Sequence, residues 1–275
     1  MRGIGVHIRF EGTLTAMIEK ARRYEVPFFQ CFLVYHKTGK LINPTVDDVR
    51  QFLIERKNYQ GPLYVHGSYW INLAGVSRVN QRSLYREVQL ARRLGFTHII
   101  VHPGSAKGAD DKQKGIEALA RSINAFFTHE SSISLVLENT AHGSMSIGGD
   151  FDDFKKMLTM IDKPERVLFC VDTAHAHSYG YNIVDVQGRN EFIALLDETI
   201  GLSAIALIHL NDTKDACGSR MDRHEIVGEG VIGTDALKQF VLDERLKHIP
   251  LLMELPFITE EDELRIIKMV REWHQ

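Results

Sequence analysis

A single α/β domain of the (β/α)8 type, a TIM barrel, is the fold class that this 275-residue sequence predicts. Three observations carry the prediction. Eight short, apolar, mostly β-rich segments recur along the chain, longer amphipathic stretches separate them, and six of the eight in succession end on a residue of metal-ligand type. The length permits two domains or one barrel of roughly 250 residues, and no Gly/Pro/Ser-rich linker or change of composition divides the chain, so residues 1–275 read as one domain. A doubly wound open sheet is the runner-up, but no GxGxxG follows the first segment.

In order, the strands are expected at Gly3–Ile8, Pro27–Leu33, Pro62–His66, Thr97–His102, Ile133–Glu138, Arg166–Asp172, Ala204–His209 and Ile249–Glu254. The intervening stretches read as helices. In Ser77–Leu94, for example, Val79, Leu84, Val88, Leu90, Ala91 and Leu94 form the apolar face, with Arg78, Arg82, Arg86 and Arg93 largely outside.

Composition narrows the function. A hydrophobic fraction of 44% with 25% charged residues excludes disordered, collagen-like and simple coiled-coil chains. Thirty-three Lys plus Arg against 36 Asp plus Glu give a formal charge of −3, so no molecule-wide field attracts nucleic acid or an anionic membrane, and any polyanion site is local. The start MRGIGVHIRF lacks the apolar core of a secretion signal, and no run approaches the roughly 18 apolar residues of a membrane span. The expectation is an intracellular protein with no membrane partner and no inferable protein partner. Cys31, Cys170 and Cys217 are three in number and widely spaced, which suits buried small residues rather than a disulfide framework or a CxxC pair.

The strand ends carry the chemistry. Side chains in a buried parallel strand should be apolar, yet six successive strands end on His66, His102, Glu138, Asp172, His209 and Glu254, at gaps of 36, 36, 34, 37 and 45 residues. Each gap is close to one βα unit, so a barrel gathers all six at its C-terminal rim, where clustered carboxylates repel unless cations compensate them. Imidazole and carboxylate without thiolate spacing suit zinc, manganese or ferrous iron, with zinc leading because His is abundant. Just beyond these ends lie His175, three residues after Asp172, and the pair Asp222 and His224 on an extended, glycine-rich loop. Nine candidates exceed the four of a closed structural zinc site and point to two or three ions with open positions, a composition suited to displacement at phosphorus. His7, His36, His142 and His177 are further rim histidines read as supporting residues.

The stretches HGSYWINLA, VHPGS, LENTA, CVDTAHAHSYGYN, HLNDTK, GSRMDRHEIVGEGVIG and MELP, in order from about Gly3 to Pro256, together resemble endonuclease IV, the metal-dependent apurinic/apyrimidinic DNA repair family. That resemblance implies three zinc ions per chain: His66, His102 and Glu138 on the first, Glu138 bridging to a second held with Asp172, His209 and Glu254, and His175, Asp222 and His224 on the third. It also implies double-stranded DNA with an abasic site as partner, and cleavage 5′ to the lesion by a metal-bound hydroxide near Glu138, leaving a 3′-hydroxyl and a 5′-deoxyribose phosphate. Tyr69, Trp70 and Asn72 occupy the position from which the family inserts side chains into DNA.

The chain departs from the family at its edges. HIRFEGTL stands where a small HxSxxGG loop is usual, Gly67 where Asp commonly follows the His, and VYHKTGKLIN lacks the QRQW-like run. In the family these loops probe DNA, so the resemblance implies that substrate range is where differences are expected. A sugar isomerase or epimerase would use only Glu138, Asp172, His209 and Glu254 around one ion, leaving the other candidates idle. A lesion-binding protein without cleavage is the third reading, and the intact ligand set opposes it.

Overall fold

Eight parallel strands close on themselves in the computed structural model, which describes residues 2–35, 37–75, 81–130 and 132–274. They are β1 (Ile4–His7), β2 (Phe29–Phe32), β3 (Leu63–His66), β4 (His98–Val101), β5 (Ser134–Glu138), β6 (Leu168–Asp172), β7 (Ile205–His209) and β8 (Leu251–Met253). Each pairs with its neighbours in sequence, and β1 closes the ring on β8 through Ile4↔Leu251, Gly5↔Leu252 and Val6↔Met253. The expected strands are all present. They are trimmed by a residue or two where the ladder ends, so His102 and Glu254 lie one residue beyond β4 and β8.

Strand periodicity then dictates what faces the barrel axis. Phe28, Tyr64, Ile100, Val136, Cys170, Leu207 and Leu252 form an apolar cluster separate from the main core. Two residues further along the same strands stand Gln30, His66, His102, Glu138, Asp172, His209 and Glu254, on the same inward face because side chains alternate with period two. The apolar layer thus floors the polar one. Gly5 makes room for it: a Cβ there would lie 2.3 Å from the Phe28 ring.

The alternate strand residues, among them Val65, Ile99, Leu135, Leu137, Phe169, Val171 and Ile208, face outward into the main core beneath the helices. Burying each such side chain contributes about 1.5–3 kcal/mol. Among the described residues the helices are α1 (Leu14–Arg23), α2 (Val46–Lys57), α3 (Gln81–Arg93), α4 (Lys112–His129), α5 (Phe151–Leu158), α6 (Thr173–Tyr179), α7 (Val186–Thr199), α8 (Gly233–Val241) and α9 (Glu260–Glu272). Thr13, Thr45, Asp111, Asp150, Asp172, Asp185 and Thr259 each cap a helix start by accepting a backbone N–H.

On α3, Leu84, Val88, Leu90 and Ala91 are buried while Arg82, Arg86 and Arg93 are exposed, as the periodicity predicts. Ser77, Arg78 and Val79, from the expected start of this helix, lie outside the described residues, as does His36. Cys31 and Cys170 are buried as expected, but Cys217 is exposed, because it sits in the loop after β7 and not on a packed element. No helix among the described residues is long and apolar enough to cross a membrane.

Candidate metal centre

Glu138, fully buried at the end of β5, is the hub of the rim. Its Oε2 lies 3.0 Å from His66 Nε2 and 3.6 Å from His102 Nε2, and its Oε1 lies 2.7 Å from His209 Nδ1 and 3.6 Å from His175 Nδ1. His209 Nδ1 is also 3.5 Å from Glu254 Oε2 and 3.9 Å from Asp172 Oδ2. Among the described residues, three groups of imidazole and carboxylate donors have their donor atoms within 4.8 Å of one another: His66 with His102 and Glu138; Glu138 with Asp172, His209 and Glu254; and Asp172 with His175 and His224. Asp222 completes the third, its Oδ1 lying 3.1 Å from His175 Nε2 and 3.5 Å from His224 Nε2. Cys170 also approaches Glu138 and His209, but burial pushes its thiol up to about 12, so it remains a neutral member of the apolar floor.

His175 reaches the site from the first turn of α6, not from a loop. His224 belongs to a short antiparallel ribbon, His224–Glu225 against Asp212–Thr213. Asp212 folds the rest of that loop. Fully buried, it accepts the backbone N–H groups of Thr213 and Ile232 on Oδ1 and those of Gly228, Gly230 and Gly233 on Oδ2, at 2.8–3.2 Å. A Cβ at Gly230 would stand 2.3 Å from Asp212 Oδ1, which is why the GEGVIG run needs glycine there. The other arm is pinned to α6, where the carbonyls of His177 and Ser178 accept from Gly218 and Arg220.

Partners outside the ligand set orient it. His66 Nδ1 faces the Gly67 carbonyl at 2.8 Å and His175 Nδ1 faces the Asn139 carbonyl at 3.0 Å, so each ring keeps Nε2 directed at the site. Asn211 Nδ2 donates to Asp172 Oδ2 at 2.6 Å and to Glu254 Oε2 at 3.3 Å. Buried Glu87 on α3 accepts from the Ser68 backbone N–H at 3.0 Å and from its hydroxyl, tethering the HGSYW loop. Gln30, on a strand with no candidate ligand, contacts both His209 and Glu254. The residue pattern did not single out Asn139, Asn211, Glu87 and Gln30: Gln30 and Glu87 are polar where strand or helix burial predicts an apolar residue, whereas Asn139 and Asn211 stand just beyond β5 and β7, where a polar residue is unremarkable.

The electrostatics are those of a site built for cations. Burial alone would raise Glu138, but the imidazoles of His209 and His102 outweigh it and hold the carboxyl well below its usual range. Burial alone would lower His175, yet Asp172, Asp222 and Glu138 hold it well above its ordinary value. His175 Nε2 and His224 Nε2 face each other at 3.3 Å, an approach two lone pairs tolerate only with a proton or a cation between them. The site therefore presents ionised carboxylates and convergent imidazoles whose charge balance a bound ion would supply.

Tyr69 and Trp70 stand at the rim with 68% and 62% of their surface exposed, rather than packed beneath their loop. The Tyr69 ring lies nearly parallel to His102, centroids 6.2 Å apart. Asn72 is engaged by its neighbour: Nδ2 donates to the Ser105 carbonyl and Oδ1 accepts the Ser105 N–H. The departing loops meet here too, with Phe10 edge-on to Tyr35, and they line a cavity of about 680 Å³ whose wall includes Asp222, His224 and Glu254. His7 is half-buried beside Gln30, His177 is buried on α6, and His142 is exposed.

Residues 18–273 match the family model described as a xylose isomerase-like TIM barrel. A protein named probable endonuclease 4 from Thermosipho melanesiensis is 30% identical over 260 residues, covering 92% of each chain. One of the same name from Halorhodospira halophila is 32% identical over 264 residues, covering 93% of this chain and 89% of that one. Among solved structures, endonuclease IV from Thermus thermophilus superposes with a TM-score of 0.84 at 27% identity, over 99% of this chain and 98% of that one.

Proposed function

A chain that belongs to the xylose isomerase-like TIM-barrel family, and groups within it with the endonuclease 4 proteins, is, we propose, a DNA repair hydrolase that cuts the phosphodiester 5′ to an abasic site in duplex DNA, leaving a 3′-hydroxyl and a 5′-deoxyribose phosphate. The observation that carries this reading is the convergence of nine donor-bearing side chains, His66, His102, Glu138, Asp172, His175, His209, Asp222, His224 and Glu254, on one rim. The enzyme would work inside the cell, where its substrate is.

Carboxylate and imidazole donors without an available thiolate fit zinc, with manganese or ferrous iron as alternatives at some positions. His66, His102 and Glu138 would hold one ion, Glu138, Asp172, His209 and Glu254 a second, and His175, Asp222 and His224 a third. Bound there, the ions supply Lewis-acid polarisation of the phosphoryl group and an acidified water. The chain does the rest. Glu138, kept ionised by its neighbours, spans the first two groups. Tyr69 and Trp70 offer aromatic faces to the DNA at the mouth, where a site without its base is cheapest to unstack. With a formal charge of −3, binding away from the lesion would be weak, and because local Lys and Arg would displace counterions it would fall as salt is added.

The isomerase reading needs only Glu138, Asp172, His209 and Glu254; the approach of His66, His102, His175, Asp222 and His224 to that quartet supports the nuclease reading. The test is an end-labelled duplex bearing one stable abasic analogue, with an undamaged duplex and a Glu138→Gln protein purified identically. A nick immediately 5′ to the analogue that disappears in the variant is expected. Intact duplex after incubation with metal-loaded protein would overturn the reading.

A further inference from the structure

Gln30 is fully buried on β2, yet its amide reaches across the barrel. Its Oε1 lies 3.0 Å from His209 Nε2, while its Nε2 lies 2.6 Å from Glu254 Oε1 and 3.0 Å from His7 Nδ1. This accounts for the whole amide: both N–H groups donate, one to Glu254 and one to His7, and the oxygen accepts. The reverse orientation would set two acceptors, Gln30 Oε1 and Glu254 Oε1, against each other.

We propose that Gln30 is a positioning residue of the metal centre, fixing the His209 tautomer and the Glu254 carboxylate with a single amide. With the proton on Nε2 directed at Gln30, His209 keeps Nδ1 for the position it shares with Glu138, Asp172 and Glu254. With Oε1 occupied by the amide, Glu254 is held so that Oε2 faces the same position, 3.5 Å from His209 Nδ1. The carbonyls of Gly67 and Asn139 play the corresponding part for His66 and His175. Gln30 does it with a side chain, which makes it the lock a substitution can remove. The inference rests on the metal reading above.

The experiment compares wild type with Gln30→Met, Gln30→Ala and Glu138→Gln, measuring zinc affinity by chelator competition and the visible absorption of the cobalt(II)-substituted proteins. Methionine keeps the volume and removes the hydrogen bonds. Alanine leaves a polar space that a water can enter to replace part of the amide. Gln30→Met is expected to weaken one ion by about 10–100-fold and alter the cobalt band, with Gln30→Ala losing less. A packing role predicts the opposite order. Wild-type affinity in Gln30→Met, or a larger loss in Gln30→Ala, would overturn the assignment while leaving the metal reading intact if Glu138→Gln loses ions. Full retention by Glu138→Gln would overturn the metal reading itself.

Discussion

Asp172 Oδ1 accepts the backbone N–H of His175 at 2.7 Å, so the residue that ends β6 also starts α6. Its second oxygen stays with the site, 3.8 Å from His224 Nε2 and 3.9 Å from His209 Nδ1. One carboxylate thereby sets the distance between the second and third groups of donors. The same device explains why VDTAHA is a compact motif: strand end, cap and histidine must follow in that spacing for the helix to begin over the barrel mouth.

The two jobs of Asp172 are separable. Asparagine is as good a cap as aspartate but an uncharged ligand, and with its oxygen on the His175 N–H its amide nitrogen would face the Asn211 amide nitrogen, so Asp172→Asn should release metal and cost the metal-free protein about 1–3 kcal/mol while keeping the cap. Asp172→Ala should lose the metal and a further ~1 kcal/mol of stability with the cap. Urea melts of the metal-free proteins, paired with elemental analysis of the loaded ones, distinguish the two. Equal metal retention in Asp172→Asn and wild type would remove Asp172 from the ligand set.

Asp212 belongs to none of the three donor groups but holds the loop that supplies Asp222 and His224. Asp212→Ala strands five backbone N–H groups, and the expected cost is at least ~3 kcal/mol, since even one hydrogen bond to a charged group contributes about 1.5–3. The proposal of three ions predicts that this variant loses the one bound by the loop and keeps those on His66, His102 and Glu138. Calorimetric zinc titration should then reveal one fewer site per chain.

Acidity should act oppositely on the empty and loaded protein. His175 lies well above its ordinary value of 6.5, despite burial, because Asp172, Asp222 and Glu138 surround it. For a group raised on folding, the stabilisation is fully present below the unfolded value and is lost as pH rises through the folded one, so the metal-free protein should weaken towards alkaline pH. A bound ion must expel that proton, so metal affinity should rise over the same window, about tenfold per pH unit for each proton displaced. Melting temperatures with and without chelator, followed from pH 6 upward, should diverge, and curves that run parallel would show that this coupling is absent.

Trp70 is exposed and belongs to no donor group, so Trp70→Ala should leave metal content unchanged and cost little stability. If its ring stacks on a base at the lesion, binding of abasic duplex should weaken by about 1–3 kcal/mol, with no comparable change on undamaged duplex. Fluorescence anisotropy on both duplexes checks this, and equal losses on both would reassign Trp70 to general contact.

Much of this architecture was legible in residue order. The inward register of Tyr64 and His66, Ile100 and His102, Val136 and Glu138, or Leu207 and His209 is a matter of alternation within one strand, and the near-equal gaps between strands imply one repeating unit. The strand limits expected at His102 and Glu254 overrun by one residue, because the alternation that turns these side chains inward continues past the last paired residues, Val101 and Met253. Cys217 was misjudged, since composition says nothing about which loop stays outside. Arg78 and the other residues 76–80 lie outside what the structure describes.

The sequence alone determined the barrel, the rim and the identity of the candidate donors, because alternation and helix periodicity are local properties that short-range sterics enforce. Only the tertiary structure decided how those donors are held. Gln30 meets His209 across 179 residues and Asp212 gathers a loop up to 21 residues away, contacts that exist only once the ring has closed and the loop has folded back. Each such partner commits its polar atoms to a distant segment, so its role depends on geometry that no local pattern of residues contains.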